Sequence, residues 1–518
     1  MTTTAGPPAA PRVVLPARPA SPALRSGFLG WISAVTIAIS VLLMIAVSVA
    51  GPSAVIPVIP RTWPEPPLWL PLHLSQLTVT TASYTAIALG AAGVGLGLLA
   101  VRRGARPNLR LLAAAAVTAI AVLALLPPAG STDSLSYAAY GRITMLGHNP
   151  YVMTPLQLRA IGDPIGLQTT RNWQSDPSLY GPVAITADWV AAKLGGTNIA
   201  DIILWLKLLF ALCFGAVALA LDRLLSGDPA ARARAHLLWT VNPLMLWAVM
   251  AGAHADGLGA CLGIFGILIA RVPCPGARLG PGRALAAGLL VGAAIAVKSP
   301  LAPLALALAW SARHSVKALA AATAGGVLAL VPGYLIAGPQ ALTDLVWRSG
   351  NLVTFDSFWR LFYPPFGYSS MPAGLELIAA AACVAMAGLL AWRLPPGPPQ
   401  LPAVRPALAL MLAWLLVWPL QRPWYDAIAF CLLAVFPASR MDWLALIRAA
   451  PAAMALATGA AARHPHDLTR VIGFVGNDLS PDVRLGAVIA AVVLCGLGAW
   501  ELRRPPRGSL TVEAAAPS

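Results

Sequence analysis

Charge is scarce in this chain. Asp, Glu, Lys and Arg together make up 10% of its 518 residues, against about 25% in an ordinary soluble domain. With 58% hydrophobic residues and apolar runs of about 18 or more residues recurring along nearly its whole length, a soluble globular domain is excluded and a polytopic helical membrane protein is indicated. Cysteine is sparse too. Of the six, Cys213, Cys261, Cys383, Cys431 and Cys495 lie inside apolar runs and only Cys274 does not. There is no CxxC pair and no His spacing of a metal site, so they read as small core residues rather than as a disulfide or metal framework. Lysine is rarer still, with four Lys among 35 basic residues and hence 31 Arg. No Asp-x-Asp occurs of the kind that holds a metal and a nucleotide diphosphate, and no nucleotide-binding domain is visible.

The net charge of +16 invites a nucleic-acid reading, but its distribution argues against one. Basic residues fall mainly in the short gaps between every second pair of apolar runs, which is a topology signal. Residues 1–27, rich in Pro and Ala, are expected to form a disordered cytoplasmic tail. The run at 28–51 is too long for a signal-peptide core and reads as an uncleaved anchor. The Pro-rich stretch 52–77 is an external loop, with Trp63 and Trp69 in the interfacial aromatic belt. Arg102, Arg103, Arg106 and Arg110 mark an inner gap, as do Arg223, Arg232 and Arg234. The spans expected from residues 28–502 are about 13–14, with both termini cytoplasmic and a second tail at 503–518. Long external loops are expected at 128–200, at 338–372 (with Trp347, Arg348, Asp356, Trp359 and Arg360) and near 462–484. No internal repeat is evident.

The richest polar stretch begins at Pro127-Pro128-Ala129-Gly130-Ser131-Thr132-Asp133. The prolines and glycine end the preceding span, and Ser131 or Thr132 can cap a new helix. On such a helix positions 133, 137, 140 and 144 share a narrow arc. That places Asp133, Tyr137 and Tyr140 on one face, with Leu135, Ala139, Ile143 and Leu146 on the apolar side and Arg142 turned away. One carboxylate beside two aromatic rings suits a sugar site. An acid in a first turn is also a plain partner for the helix dipole, which favours negative charge there.

Other polar groups sit at the outer ends of spans, where charge is costly unless it faces the protein or a cavity. His254 and Asp256, between Gly252 and Gly257, occupy a very short turn. Asp256 either caps the next helix or joins His254 in a second polar cluster facing Asp133. Lys298, before Ser299-Pro300, either snorkels to outer headgroups or binds a phosphate. Arg422, in Gln421-Arg422-Pro423-Trp424-Tyr425-Asp426, either holds a phosphate or pairs with Asp426. Lys207 lies inside a span and is harder to dismiss, whereas Asn242-Pro243 marks a kink.

These residues carry a resemblance. Asp133 to Arg142, then Gly147-His148-Asn149-Pro150-Tyr151 and Tyr180-Gly181-Pro182, resemble the actinobacterial polyprenyl-phosphomannose-dependent α-1,6-mannopyranosyltransferases. The similarity continues through Asn242-Pro243, the Gly252-x-His254-x-Asp256 turn, the junction at Lys298 and Pro423-Trp424-Tyr425, roughly 110–430. Leu135 departs from the pattern, standing where relatives often carry a second Tyr. The resemblance implies a GT-C-like bundle, all-α and polytopic, with external loops carrying amphipathic helices. It implies a carboxylate of the first large external loop, here Asp133, as general base. The implied donor is mannose β-linked to polyprenyl phosphate, and the implied product an α-1,6-linked mannose on a lipid-linked mannan such as lipomannan, made on the external face of the plasma membrane.

The chemistry can be checked on the residues themselves. Inverting transfer needs a base for the acceptor hydroxyl. It needs no carboxylic acid for the leaving group, because a lipid phosphate departs as a stable anion that cations stabilise. Asp133 with Lys298 and Arg422 meets that requirement. Tyr137, Tyr140, Tyr151 and Trp173 can pack sugar faces, and Asn149, Tyr180, His254, Asp256, Trp424 and Tyr425 complete the expected substrate-binding set. No cofactor is expected, a divalent metal remaining open as a requirement, and no nucleic acid. The competing readings are an arabinofuranosyl transferase using a similar donor, and a secondary transporter or flippase.

Overall fold

A computed structural model of the chain describes residues 22–62, 64–170, 173–343, 353–354, 356–362, 374–459 and 466–501. Among them all regular secondary structure is helical, with one isolated bridge, Ser439 to Glu501, in place of any sheet. This is what a bilayer demands, since each helix satisfies its own backbone groups. Among the described residues six helices are long and apolar enough to span: Ser26–Val49, Gln76–Arg102, Ile199–Leu224, Val316–Ala337, Leu375–Arg393 and Leu468–Gly496. A further pair, Pro229–Ala251 and Asp256–Ile269, is bent by 119° at the His254 turn. Shorter apolar helices fill the bundle between them, among them Leu109–Leu125, Pro281–Ile295 and Val404–Val417.

Several boundaries differ from expectation. The first helix begins at Pro22, so residues 22–27 are helical, and the part apolar enough to span starts at Ser26; Pro is at home in a first helical turn. The loop expected at 462–484 is largely helical from His466 onward, the π-helical turn Phe474–Leu479 carrying it into Ser480–Gly496. Near 353–362 the chain returns to the bundle, where Trp359 Nε1 donates to the Val417 carbonyl at 2.6 Å. Trp63, Trp347 and Arg348 lie outside the described residues.

The first large loop is a helical layer of its own. We label its helices α1 (Asp133–Met145), α2 (Pro155–Ala160) and α3 (Pro182–Gly195). Together with the start of Ile199–Leu224 they build a second core around Tyr137, Ala138, Ile143, Leu158 and Ile185. Leu135, 1% exposed, belongs to that core, which explains an aliphatic residue there. The α1–α3 contact is close because Gly141 faces it: a Cβ at Gly141 would stand 2.1 Å from the Asp188 carbonyl oxygen. Gly141→Ala would gain about 1 kcal/mol of helix propensity, but overpacking against fixed backbone costs about 1–3 kcal/mol. We expect Gly141→Ala to lower the melting temperature in detergent and Gly141→Val to lower it further; an unchanged melting curve for both would refute the close approach.

Asn242 and Pro243 break the fifth apolar run as expected. Asn242 Oδ1 accepts from the Leu244 amide, and π-helical turns flank the break at His236–Thr240 and Leu246–Ala251. Lys207 is explained by the end of Leu109–Leu125: its ammonium donates to the carbonyls of Leu126 at 2.6 Å and Pro127 at 3.4 Å. Those carbonyls are left over where Pro127 and Pro128 stop the helix. The six cysteines are free, and only Cys274 is exposed.

Candidate active site

Asp133 is the first residue of α1. Its amide donates to Ser131 Oγ at 3.1 Å, while Thr132 makes no side-chain cap. The strand leading to it is anchored on both sides, Ala129 N donating to Ala251 O at 2.8 Å and Gly130 N to Val55 O at 2.7 Å. The Ala251 contact fastens the start of α1 to the turn that carries His254.

A cavity of about 240 Å³ opens in front of this helix. Asp133, Ser136, Tyr137 and Tyr140 line it from α1, the face expected from helical spacing. Trp173, Asp176 and Tyr180 contribute from the same loop, Lys298, Ser299 and Pro300 from the broken junction, and Trp414, Trp418, Leu420, Arg422, Trp424 and Tyr425 from the far wall. Residues up to about 290 positions apart thus meet around one space, 133 and 425 marking the extremes.

Glycine sets the second wall. Gly181 N donates to Val297 O at 3.0 Å and Val183 N to Ala296 O at 2.9 Å. A Cβ at Gly181 would lie 2.2 Å from the Ala296 carbonyl oxygen. The backbone approach that only glycine permits sets Tyr180 beside Lys298, whose ammonium lies 5.0 Å from the Tyr180 ring centroid and 4.3 Å from that of Tyr425. Tyr137 donates its hydroxyl to Tyr180 at 3.1 Å, the rings meeting edge to face at 5.0 Å. Burial pushes both phenols well above their ordinary pKa, helped by the Asp133 and Asp256 carboxylates, so they serve as neutral hydrogen-bonding groups.

Lys298 does not snorkel. Its ammonium holds Asp256 at 3.0 Å, with 11% and 9% of the two side chains exposed. Burial disfavours the ammonium, yet the Asp256 carboxylate beside it more than compensates and holds its pKa above the ordinary value. Asp256 is therefore both the first residue of its helix and a member of the cluster. Arg422 is placed differently. Its expected partner Asp426 is taken by Arg448 in a buried ion pair, and among the described residues Arg422 has no carboxylate partner. A second buried pair, Arg484 with Asp356, packs close by. Arg422 is half-buried in the cavity wall and is the cation there most able to take an external anion.

Four expected substrate contacts stand off the wall: Asp256, held by Lys298, and Asn149, Tyr151 and His254. Asn149 spends its side chain on the backbone, Nδ2 donating to Ala337 O and Oδ1 accepting from Tyr151 N, both at 2.9 Å. Tyr151 is buried and donates its hydroxyl to Tyr180 O at 2.9 Å. His254, 1% exposed, lies behind Trp424, the two rings stacked at 3.5 Å. Tyr140 remains on the wall, but its hydroxyl donates to the Asp176 carbonyl at 3.0 Å. Arg142, turned away as expected, pairs with Asp163 at 2.8 Å. Conversely, Ser136, Asp176, Trp414, Trp418 and Leu420 line the cavity without having been singled out. Trp414 and Trp418 are four apart at the end of an apolar helix, a spacing that puts two rings on one face. No group of three or more His, Cys, Asp or Glu able to hold a metal occurs among the described residues.

Residues 35–315 match the family model described as alpha-(1->6)-mannopyranosyltransferase, N-terminal domain. The chain is 28% identical over 183 residues to a probable alpha-(1->6)-mannopyranosyltransferase of Mycolicibacterium smegmatis, an alignment covering 35% of this chain and 32% of that protein. It is 28% identical over 169 residues to an alpha-(1->6)-mannopyranosyltransferase of Mycobacterium tuberculosis, covering 31% and 29%. Alpha-(1->6)-mannopyranosyltransferase B of Corynebacterium glutamicum is 24% identical over 139 residues, covering 27% and 23%. The chain thus spans 32% or less of the length of these curated relatives. No solved structure matches it.

Proposed function

The chain belongs to the alpha-(1->6)-mannopyranosyltransferase family, and from that premise we propose that it transfers mannose from polyprenyl phosphomannose to an α-1,6-mannan acceptor of a cell-envelope lipoglycan, with inversion. The observation that carries this reading is a single cavity lined by Asp133, by Lys298 and Arg422, and by tyrosine and tryptophan rings. Asp133 takes the proton of the acceptor hydroxyl as its oxygen attacks the anomeric carbon. The bond from that carbon to the phosphate oxygen breaks with its electron pair on the phosphate. Arg422 receives the phosphate with a planar fork of donors, and Lys298 adds a positive charge that Asp256 partly neutralises. No acid is needed for such a leaving group. Tyr137, Tyr180, Trp424 and Tyr425 bind sugar through ring faces and hydroxyls, while Trp414, Trp418 and Leu420 offer the lipid an apolar wall. The reading places the site on the external face, with both termini cytoplasmic.

Membranes containing the chain, given labelled polyprenyl phosphomannose and short α-1,6-mannosides, are expected to extend the acceptor by an α-1,6-linked mannose. Inert phosphomannose together with transfer from a polyprenyl-phosphate arabinofuranose donor would overturn the choice of sugar. Movement of the lipid across the bilayer without a new glycosidic bond would overturn the reading altogether.

A further inference from the structure

His254 lies in the turn between the two arms of the bent pair Pro229–Ala251 and Asp256–Ile269. Ala253 before it has φ of 54°, in the left-handed region that residues with a Cβ rarely adopt. The turn delivers the imidazole to a place between Trp424 and Asp133. The His254 ring lies nearly parallel to Trp424, at 16° and 3.5 Å. Its Nδ1 is 2.5 Å from the Ala248 carbonyl oxygen, and because a carbonyl only accepts, Nδ1 carries the hydrogen. Its Nε2 is buried, has no hydrogen-bond partner among the described residues and stands 3.7 Å from Asp133 Oδ2.

The groups facing this imidazole are Asp133 from α1, Asp256 from the helix that follows the turn, and Lys298 from the broken junction. Burial pushes the His254 pKa below its ordinary value; Asp133 and Asp256 oppose that, and Lys298 reinforces it. Tyr137, Tyr180 and Tyr425 also feel Asp133 and Asp256, and all three are raised phenols that stay neutral. The resting imidazole is therefore neutral, with the lone pair of Nε2 toward a carboxylate. Two acceptors confront each other, and one proton between them satisfies both. A small side-chain adjustment brings 3.7 Å to hydrogen-bond distance.

We propose that Asp133 and His254 work as a proton-accepting pair, in which the proton taken from the acceptor hydroxyl onto Asp133 is received by Nε2 of His254. The inference rests on the reading of Asp133 as base. The acceptor O–H bond breaks, its electrons form the new glycosidic bond, and the phosphate leaves with the old one. The proton then moves from Asp133 to Nε2, giving a carboxylate beside an imidazolium whose Nδ1–H still donates to Ala248. After the product departs, the proton returns through Asp133, which lines the cavity, to solvent. His254 acts through Asp133 and touches no substrate, so it is a positioning residue.

The test is the pH dependence of kcat for the full chain in membranes, with labelled polyprenyl phosphomannose and a short α-1,6-mannoside. The variants are His254→Gln, His254→Phe, which keeps a ring against Trp424, and Asp133→Asn. Rates are normalised to correctly inserted protein. Both His254 variants are expected to lose about tenfold or more in kcat, a modest share of a general-base contribution, with KM for the donor little changed. Their acid limb should move to lower pH, because the imidazole that receives the proton in the wild type is gone. A rate within twofold of wild type in either His254 variant, or a loss with the acid limb unmoved, overturns the pair. An inactive Asp133→Asn beside either of those results leaves the base in place and removes only His254; an active Asp133→Asn removes both.

Discussion

Asp133→Asn is expected to abolish mannosyl transfer while leaving insertion and melting behaviour intact. A positioned general base contributes about 10²–10⁴ in rate, equivalent to about 2.7–5.4 kcal/mol. Asn has nearly the same shape and keeps the first position of α1, where the cap is made by Ser131 and not by Asp133. What the fold loses is the attraction of one carboxylate for a helix N-terminus, about 0.3–1 kcal/mol. The expected rate effect therefore far exceeds the stability effect, and the two are separated by measuring turnover and thermal melting on the same preparation. A rival base is Asp176, which also lines the cavity. Asp256 and Asp426 are held by Lys298 and Arg448 and do not line the cavity. Asp176→Asn is expected to retain most activity. If Asp176→Asn is dead and Asp133→Asn is active, the base has been assigned to the wrong wall.

The face of α1 was legible because two strong local signals coincide there: prolines that end one helix and a helical period that gathers Asp133, Tyr137 and Tyr140. The helical class of the apolar runs was legible for a similar reason, since an apolar run in a bilayer has little choice but to be a helix; their number was not, because only six helices, or seven with the bent pair, are long enough to span among the described residues. The far wall was not. Trp414 and Trp418 sit at the end of an apolar run, where an interfacial belt accounts for them equally well. Asp176 lies in a loop with no period to place it. The local use of Asn149 was not legible either: its side chain holds Tyr151 N and ties the loop to Ala337, 188 residues away. The ion pairs that decide which cation is available were beyond reach. Asp426 and Arg448 are 22 residues apart, and Asp356 and Arg484 are 128 apart, and only the packed bundle chooses between Arg422 and Arg448 as the partner of Asp426.

That choice of partner governs the second large effect. Because Arg448 occupies Asp426, Arg422 has no carboxylate partner among the described residues, and on the proposed reading of it as the phosphate-binding cation Arg422→Gln is expected to lower kcat about 10²–10³-fold, the usual loss on removing one donor to a developing anion. Arg422→Lys restores charge but not the planar fork, so it should recover only part of the rate and leave the donor KM raised. Lys298→Gln is expected to behave differently. It strands the Asp256 carboxylate in a buried site, and breaking a buried pair from one side costs about 3–5 kcal/mol. Lost activity in that variant would mix damage to the fold with damage to phosphate binding. The double variant Lys298→Gln with Asp256→Asn removes both charges together and restores neutrality. If Lys298 acts on the leaving phosphate, the double variant should melt near wild type and still turn over slowly. If Lys298 only balances Asp256, the double variant should regain wild-type turnover, leaving Arg422 as the cation on which the departing phosphate depends. A rate for Arg422→Gln within threefold of wild type would remove Arg422 from that role.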